Sequence, residues 1–427
     1  MKTIIKNGHI LDPASGKDGC FDLLMEDNLI KKVGNALSDK ADKVIDAEGC
    51  YVMPGFIDLH VHFREPGFEY KETIKTGSMA AAKGGFTSVC PMPNTNPVID
   101  NVEMIQYLKQ KEKEDSVVHL IPVGSVTIGQ MGEEVTDIKA MALAGMKAIS
   151  EDGKSVMNAE IYREAMKLAK EAGIVVLAHC EDKNMVGKGA MNQGAKAKEL
   201  GIPGISNAVE DVIVARDILL AKDTGARLHL CHCSTKDSVN LIRWAKEQGL
   251  DVSGEVCPHH FAMSEEDIPG DNGNYKMNPP LRSKEDVEAL KMGLKEGIMT
   301  AIATDHAPHS KEEKEKSIKE APFGIVGLET AFSITMTELV KKGYLTPLQM
   351  AACLSYYPAK ILGIEKGSLK PGYAADIVIV DPNMEYEICA QDFVSKGKNT
   401  PFDKRKVTGK IRMTIVDGRI VYGGEND

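Results

Sequence analysis

The stretch FIDLHVHFREPG, residues 56–67, is an apolar run that ends in two histidines and an arginine just before a Pro-Gly break. In an extended strand, positions i, i+2 and i+4 share a face, so the spacing predicts His60, His62 and Arg64 lined up on one surface. Seven further short apolar runs follow it. They are GFTSVCPMP (85–93), VVHLIPVGSV (117–126), GMKAISEDG (145–153), GIVVLAHCE (173–181), ARLHLCHCS (226–234), LDVSGEVCPHH (250–260) and IMTAIATDHAPH (298–309). Between them lie segments with helical periodicity at 73–84, 102–114, 159–173, 209–225, 236–249 and 284–297, each ending at or near a Gly or a charged turn. Eight strand-helix units predict a (β/α)8 TIM barrel over 54–364, with a doubly wound open sheet as the alternative.

The two ends of the chain have a different texture. TIIKNGHILD, FDLLMEDNLIKKVG and ADKVIDAEGCYVMPG alternate apolar and polar residues between Gly, Asp and Asn turns, and the same style returns in KGSLKPGYAADIVIVD and GKIRMTIVDGRIVYGG. Residues 1–53 and 365–427 are therefore expected to meet in one small composite β-sandwich domain, with the barrel inserted between them.

Bulk properties narrow the function. The net charge of −10 is scattered along the chain, which argues against a nucleic-acid surface. Hydrophobic residues at 43% and charged residues at 27% are ordinary for a soluble globular protein. No window approaches a membrane span, the N-terminus lacks signal-peptide architecture, and the nine cysteines contain no Cys-x-x-Cys pair. A reducing, cytoplasmic location without membrane contact is the expectation.

The polar residues that interrupt the apolar runs fall at their ends. His60 and His62 close the first, Asp152 follows the fourth, and His179, His232 and Asp305 close the fifth, sixth and eighth. In a barrel these ends form the active-site face. Each residue alone has a structural reading: Asp152 and Asp305 can shape turns, Arg64 can pair with Glu65 or Glu69 on the surface, and His119 and His229 read as hydrogen-bonded core histidines. One metal centre explains the strand ends together. Four imidazoles and two carboxylates exceed what one tetrahedral ion uses, and suit two ions bridged by a carboxylate and a hydroxide; zinc leads, with cobalt or manganese as substitutes.

The motifs DLHVHFREPG, PMPNTNP (91–97), SEDG, LAHCED, HLCHCS, EVCPHH, KMNPPLR (276–282) and ATDHAPH with the following Lys314 resemble bacterial type I dihydroorotases of the amidohydrolase superfamily, over essentially the whole chain. The resemblance implies reversible hydrolysis of dihydroorotate to N-carbamoyl-aspartate in pyrimidine biosynthesis, with two Zn2+ per subunit. His60, His62 and Asp305 would hold one ion, His179 and His232 the other, and Asp152 would bridge. Asp305 would take the proton of the attacking hydroxide and deliver it to the leaving nitrogen. His62, Arg64, Asn94, Asn278, His309, Phe323 and Gly324 would bind the substrate, Arg64 gripping its carboxylate. Many amidohydrolases bridge with a carboxylated lysine instead, and Lys147 in GMKAIS is the second candidate for that place. The resemblance also implies a homodimer and allows association with an aspartate transcarbamoylase. The competing functions are a hydantoinase (dihydropyrimidinase), an allantoinase and a non-catalytic scaffold. The Gly- and Asn-rich stretch 269–278 reads as a flap over the substrate.

Overall fold

In the computed structural model, which describes residues 1–424, eight parallel strands form the barrel. They are Phe56–Val61, Phe86–Pro91, a third strand in two pieces (His119–Leu120 and Val123–Ser125), Ala148–Ser150, Val175–Ala178, Leu228–Leu230, Val252–Val256 and Ala301–Ile302. Neighbours in sequence are neighbours in the sheet. The third strand is interrupted at Pro122, which has no N–H for the ladder, but its carbonyl still accepts the Lys147 amide at 3.1 Å.

The ring closes between the last strand and the first. The His62 amide donates to the His306 carbonyl at 2.8 Å. Asp58 accepts the Thr304 amide at 3.1 Å and its hydroxyl at 2.6 Å. This carboxyl is wholly buried, and burial pushes its pKa up to about 7 against the hydrogen bonds that favour the anion. Closure excludes the open doubly wound sheet.

Helices cover the barrel where the periodicity placed them. Val102–Asp115, Ala159–Ala172, Lys236–Glu247 and Lys284–Lys295 are each capped by an Asn, Thr or Ser side chain, at Asn101, Asn158, Thr235 and Ser283. Ala159–Ala172 and Ala208–Thr224 stop at Gly173 and Gly225 in the left-handed conformation. Their inner faces, with Ile105, Met166, Ile213, Ile242 and Leu290 buried, make the main apolar core against the strands.

Five strands from the start of the chain (Lys2–Asp12, Lys17–Glu26, Leu29–Gly34, Lys43–Asp46 and Tyr51–Pro54) and three from its end (Ile377–Glu387, Lys406–Val416 and Arg419–Tyr422) share one sheet. The join is antiparallel, with Val52 opposite Ile379. Ile5, Ile10, Leu23, Val52, Ile377 and Ile415 form its core. Between Glu387 and Lys406 the chain leaves this sheet and runs back to the barrel. There the Ser395 hydroxyl meets Glu72 and Asn399 bonds to residues 307 and 309. No helix among the described residues is long and apolar enough to cross a membrane.

The stretch 269–278, expected to be a flap, is anchored at Gly273 and at Lys276–Met277, while Pro269, Asp271 and Asn272 are exposed. Met277 is 1% exposed and Lys276 5%. The Asp271 carboxylate accepts the Ile318 amide, and a Cβ on Gly273 would stand 2.5 Å from the Lys314 carbonyl. Gly273 serves this close approach and Asn272 caps the following turn, while Gly270 has open space around it.

Candidate metal centre

The six residues expected as ligands converge at the C-terminal mouth of the barrel, and all are buried. His60 is in the first strand and His62 immediately beyond it. Asp152, His179, His232 and Asp305 lie one to three residues past the strands that carry them. One Asp152 oxygen stands 3.2 Å from His60 Nε2, 3.3 Å from His179 Nδ1 and 3.8 Å from His232 Nε2; the other is 3.5 Å from His62 Nε2. Asp305 stands 3.2 Å from His62 Nε2 and 3.6 Å from His60 Nε2. Both nitrogens of His60, and Nε2 of His179, are buried with no hydrogen-bond partner among the described residues.

That pattern fits metal ions better than hydrogen bonds. Around a tetrahedral ion with ligands at about 2.1 Å, ligand atoms sit about 3.4 Å apart without pointing at one another. Buried imidazole nitrogens left unpaired are costly unless something else satisfies them. Three groups of close donor atoms share His60, and two of them use only the six expected residues, His60–His62–Asp305 and His60–Asp152–His232. Asp152, reaching all four imidazoles, is placed between them. Burial opposes its charge, yet the imidazoles of His60, His179 and His232 hold its carboxyl well below the usual range. Asp305 is lowered in the same way: burial raises it, and His62, His60 and His232 outweigh burial. Lys147 is exposed at the opposite end of the fourth strand, before Ala148, so its side chain cannot reach the centre.

A surrounding layer fixes the ligands. The Asn94 amide spans His62 Nδ1 at 3.0 Å and Asp152 at 3.0 Å, which leaves His62 Nε2 for a metal and one N–H of the amide without a partner among the described residues. Glu255, fully buried in the seventh strand, accepts the His232 amide at 3.1 Å, pairs with His229 at 2.9 Å and stands 3.7 Å from His60 Nδ1. Despite burial these partners hold its pKa at about 2. Its role was missed from sequence, although a carboxylate inside the run VSGEVCP was the available signal. His229 keeps its structural role, bonded to Ser253 and Glu255.

Arg64 reaches the mouth by a different route from the one predicted. The first strand ends at Val61, and Arg64 adopts φ 60, so a left-handed turn and not strand alternation aims it. Its guanidinium is half-buried, donates to the Pro308 carbonyl at 3.2 Å and lies 3.3 Å from His309 Nε2. The expected surface pairs do not form: Glu65 pairs with Lys111 at 3.2 Å and Glu69 accepts the Gly67 amide at 2.8 Å. No carboxylate among the described residues makes an ion pair with Arg64. His309 donates Nε2–H to the Phe323 carbonyl at 2.8 Å and receives Lys71 Nζ on Nδ1 at 3.2 Å, so it is neutral. Burial first, then Arg64, Lys71 and Lys314, depress its pKa to about 2. Asn278 donates to Glu181. The Gly324 amide and carbonyl are engaged by Lys276 and by Lys314 and Asn399, which leaves the Phe323 amide as this segment's unpaired donor among the described residues.

A closed (β/α)8 barrel with this ligand set at its strand ends, flanked by a sheet built from both chain ends, defines an amidohydrolase. Residues 320–422 match the model of the amidohydrolase family, and residues 49–238 match a model described as dihydro-orotase-like. Solved structures similar to this chain include L-hydantoinase (dihydropyrimidinase) from Arthrobacter aurescens, at TM-score 0.88 and 28% identity over 98% of this chain and 95% of that one. Dihydropyrimidinase from Brevibacillus agri matches at TM-score 0.87 and 25% identity over the same shares. Sequence similarity is much higher to dihydroorotases. The protein of Pelotomaculum thermopropionicum is 48% identical over 99% of this chain and 98% of its own length, and that of Staphylococcus epidermidis 47% over 99% of each. The chain belongs to the dihydroorotase family, and is a cyclic amide hydrolase.

Proposed function

We propose that this protein opens and closes the ring of dihydroorotate, interconverting it with N-carbamoyl-aspartate, at a pair of zinc ions held by His60, His62 and Asp305 on one side and His179 and His232 on the other, with Asp152 between. Cobalt or manganese suits the same nitrogen and oxygen donors. The observation that carries the choice of substrate is Arg64: a half-buried guanidinium beside the metal cluster with only neutral partners. A guanidinium so placed is completed by a carboxylate, which it grips with two parallel N–H groups. Dihydroorotate has such a carboxylate; dihydrouracil and hydantoin rings lack it.

When bound, the ions supply Lewis acidity, which favours a nucleophile at neutral pH and polarises the ring amide carbonyl. The chain does the rest. Arg64, the remaining N–H of Asn94 and the Phe323 amide hold the carboxylate end, and Asn278 and His309 line the ring. A water attacks the amide carbon while the Asp305 carboxylate, within reach of both His60 and His62, takes its proton. The carbon–nitrogen bond breaks, and Asp305 returns that proton to the departing nitrogen. In the ring-closing direction each transfer reverses. Glu255 and Asn94 keep the imidazoles in place throughout.

The test is turnover of dihydroorotate, dihydrouracil and allantoin by the zinc-loaded protein, side by side. Dihydroorotate is expected to be preferred by orders of magnitude. Preference for either neutral ring would overturn the assignment and favour the hydantoinase or allantoinase reading.

A further inference from the structure

The wall facing Arg64 is assembled from stretches around Lys276–Asn278, Ala307–His309 and Pro322–Gly324, none of which lies in a helix or strand. Two side chains hold them together. Lys314, 4% exposed, ends the short helix Lys311–Lys314 and donates to the carbonyls of Lys276 at 3.0 Å, Pro322 at 3.0 Å and Gly324 at 2.8 Å. Asn399, 4% exposed, comes from the C-terminal segment that leaves the composite sheet. It donates to the carbonyls of Ala307 and Gly324, both at 3.1 Å, and accepts the His309 amide at 3.1 Å.

Lys314 forms no ion pair among the described residues. Burial without a counter-ion is expensive for its charge and pushes its pKa down to about 7, so its retention there needs a return. Here the return is geometric: an ammonium has three N–H groups, and three carbonyls from two separate loops receive them. The Gly324 carbonyl is shared by Lys314 and Asn399, which links the two clamps. His309 and the Phe323 amide, at the substrate face of this wall, have their backbone fixed from behind.

We infer that Lys314 and Asn399 are positioning residues for substrate recognition: together they set His309 and the 322–324 segment at the place where the substrate's carboxylate end meets Arg64. This rests on the carboxylate-binding role of Arg64 proposed above. It also assigns the C-terminal segment a share in the active site of a barrel to which it contributes no strand.

Four variants test it: Asn399→Ala, Lys314→Met, Lys314→Arg and Arg64→Met as reference. Asn399→Ala and Lys314→Met are expected to raise KM for dihydroorotate about tenfold or more with kcat within about threefold and full metal content, since small misplacements of a binding group cost up to about a hundredfold. Lys314→Arg, which keeps the charge and several donors, recovers part of the loss. Hydrogen exchange at 307–309 and 322–324 rises in Asn399→Ala while exchange around His179 and His232 does not change. If Lys314→Met does not fold, Asn399→Ala carries the same expectation with Lys314 in place. A folded Asn399→Ala with unchanged KM and unchanged exchange at those segments overturns the inference. Failure of the wild type to turn over dihydroorotate sinks the functional assignment instead, and the exchange measurement still judges the clamp.

Discussion

Replacing Arg64 by methionine keeps most of the side chain's length and removes its charge, so the cost falls on the anion it meets rather than on packing. Charge-assisted hydrogen bonds contribute about 1.5–3 kcal/mol each, so kcat/KM for dihydroorotate should fall at least about tenfold per bond, with metal content unchanged. An unaltered KM would show that the carboxylate binds elsewhere. Asp152→Asn removes the carboxylate that reaches all four imidazoles, and should cost at least one metal per chain by elemental analysis. Lys147→Ala, at the exposed end of the fourth strand, should keep the full complement. His-x-His and the strand-end Asp and His residues were readable because each breaks an apolar run with a polar ligand type. Glu255 and Asn399 were not: one meets the candidate ligands from behind, at the His232 amide and beside His60, and the other comes from a segment nearly a hundred residues past the last barrel strand. Arg64 lies at the barrel mouth in a turn and not in the strand, because nothing in EPG states that the turn starts one residue earlier.

The eight runs and six helical segments carried the barrel, since periodicity and capping residues act locally and survive in the linear sequence. Other elements were hidden by weaker local signals. The helix after the third strand is only Ile138–Leu143, and the region Ala331–Leu362 is broken into short α and π pieces. At the far end of the third strand, His119 meets the composite sheet. Its ring nitrogens stand 3.5 Å from Glu112, Asp376 and Asp417, and against burial Asp376 and Glu112 raise its pKa from 6.5 to about 9. A raised imidazole pKa stabilises the fold fully below 6.5 and loses that contribution as pH climbs through about 9. Asp376, held at about 2 although burial opposes it, keeps its own contribution over that range. The thermal midpoint should therefore fall between pH 6.5 and 9.5, and His119→Gln should flatten the change; an equal fall in the variant would place its origin elsewhere.

We propose that residues 1–53 with 365–427 and residues 54–364 are two architectural units that unfold as one. The strand Tyr51–Pro54 pairs with Ile377–Glu387, Lys366 and His119 meet at Asp376, and Asn399 bonds inside the barrel mouth. With contacts of that kind at both ends of the barrel, calorimetry of the metal-loaded protein should show a single transition. Two resolved transitions would separate the units. A chelator should lower the midpoint, since ions that bind only the folded chain stabilise it by mass action. The meeting of the two chain ends was visible from their shared alternation, whereas the return of the C-terminal segment to the catalytic face had no periodic signature.

Arg64, His232 and Asp305 all sit at positive φ, at 60°, 35° and 48°. For a side-chain-bearing residue that conformation costs about 1–2 kcal/mol, which glycine avoids. At 232 and 305 glycine would also remove a proposed metal ligand and leave a cavity, so a library screened only for resistance to proteolysis should enrich glycine at 64 alone, while the same library grown under demand for pyrimidines should reject it at 64. Position 64 marks where selection for a durable fold and selection for turnover pull in opposite directions.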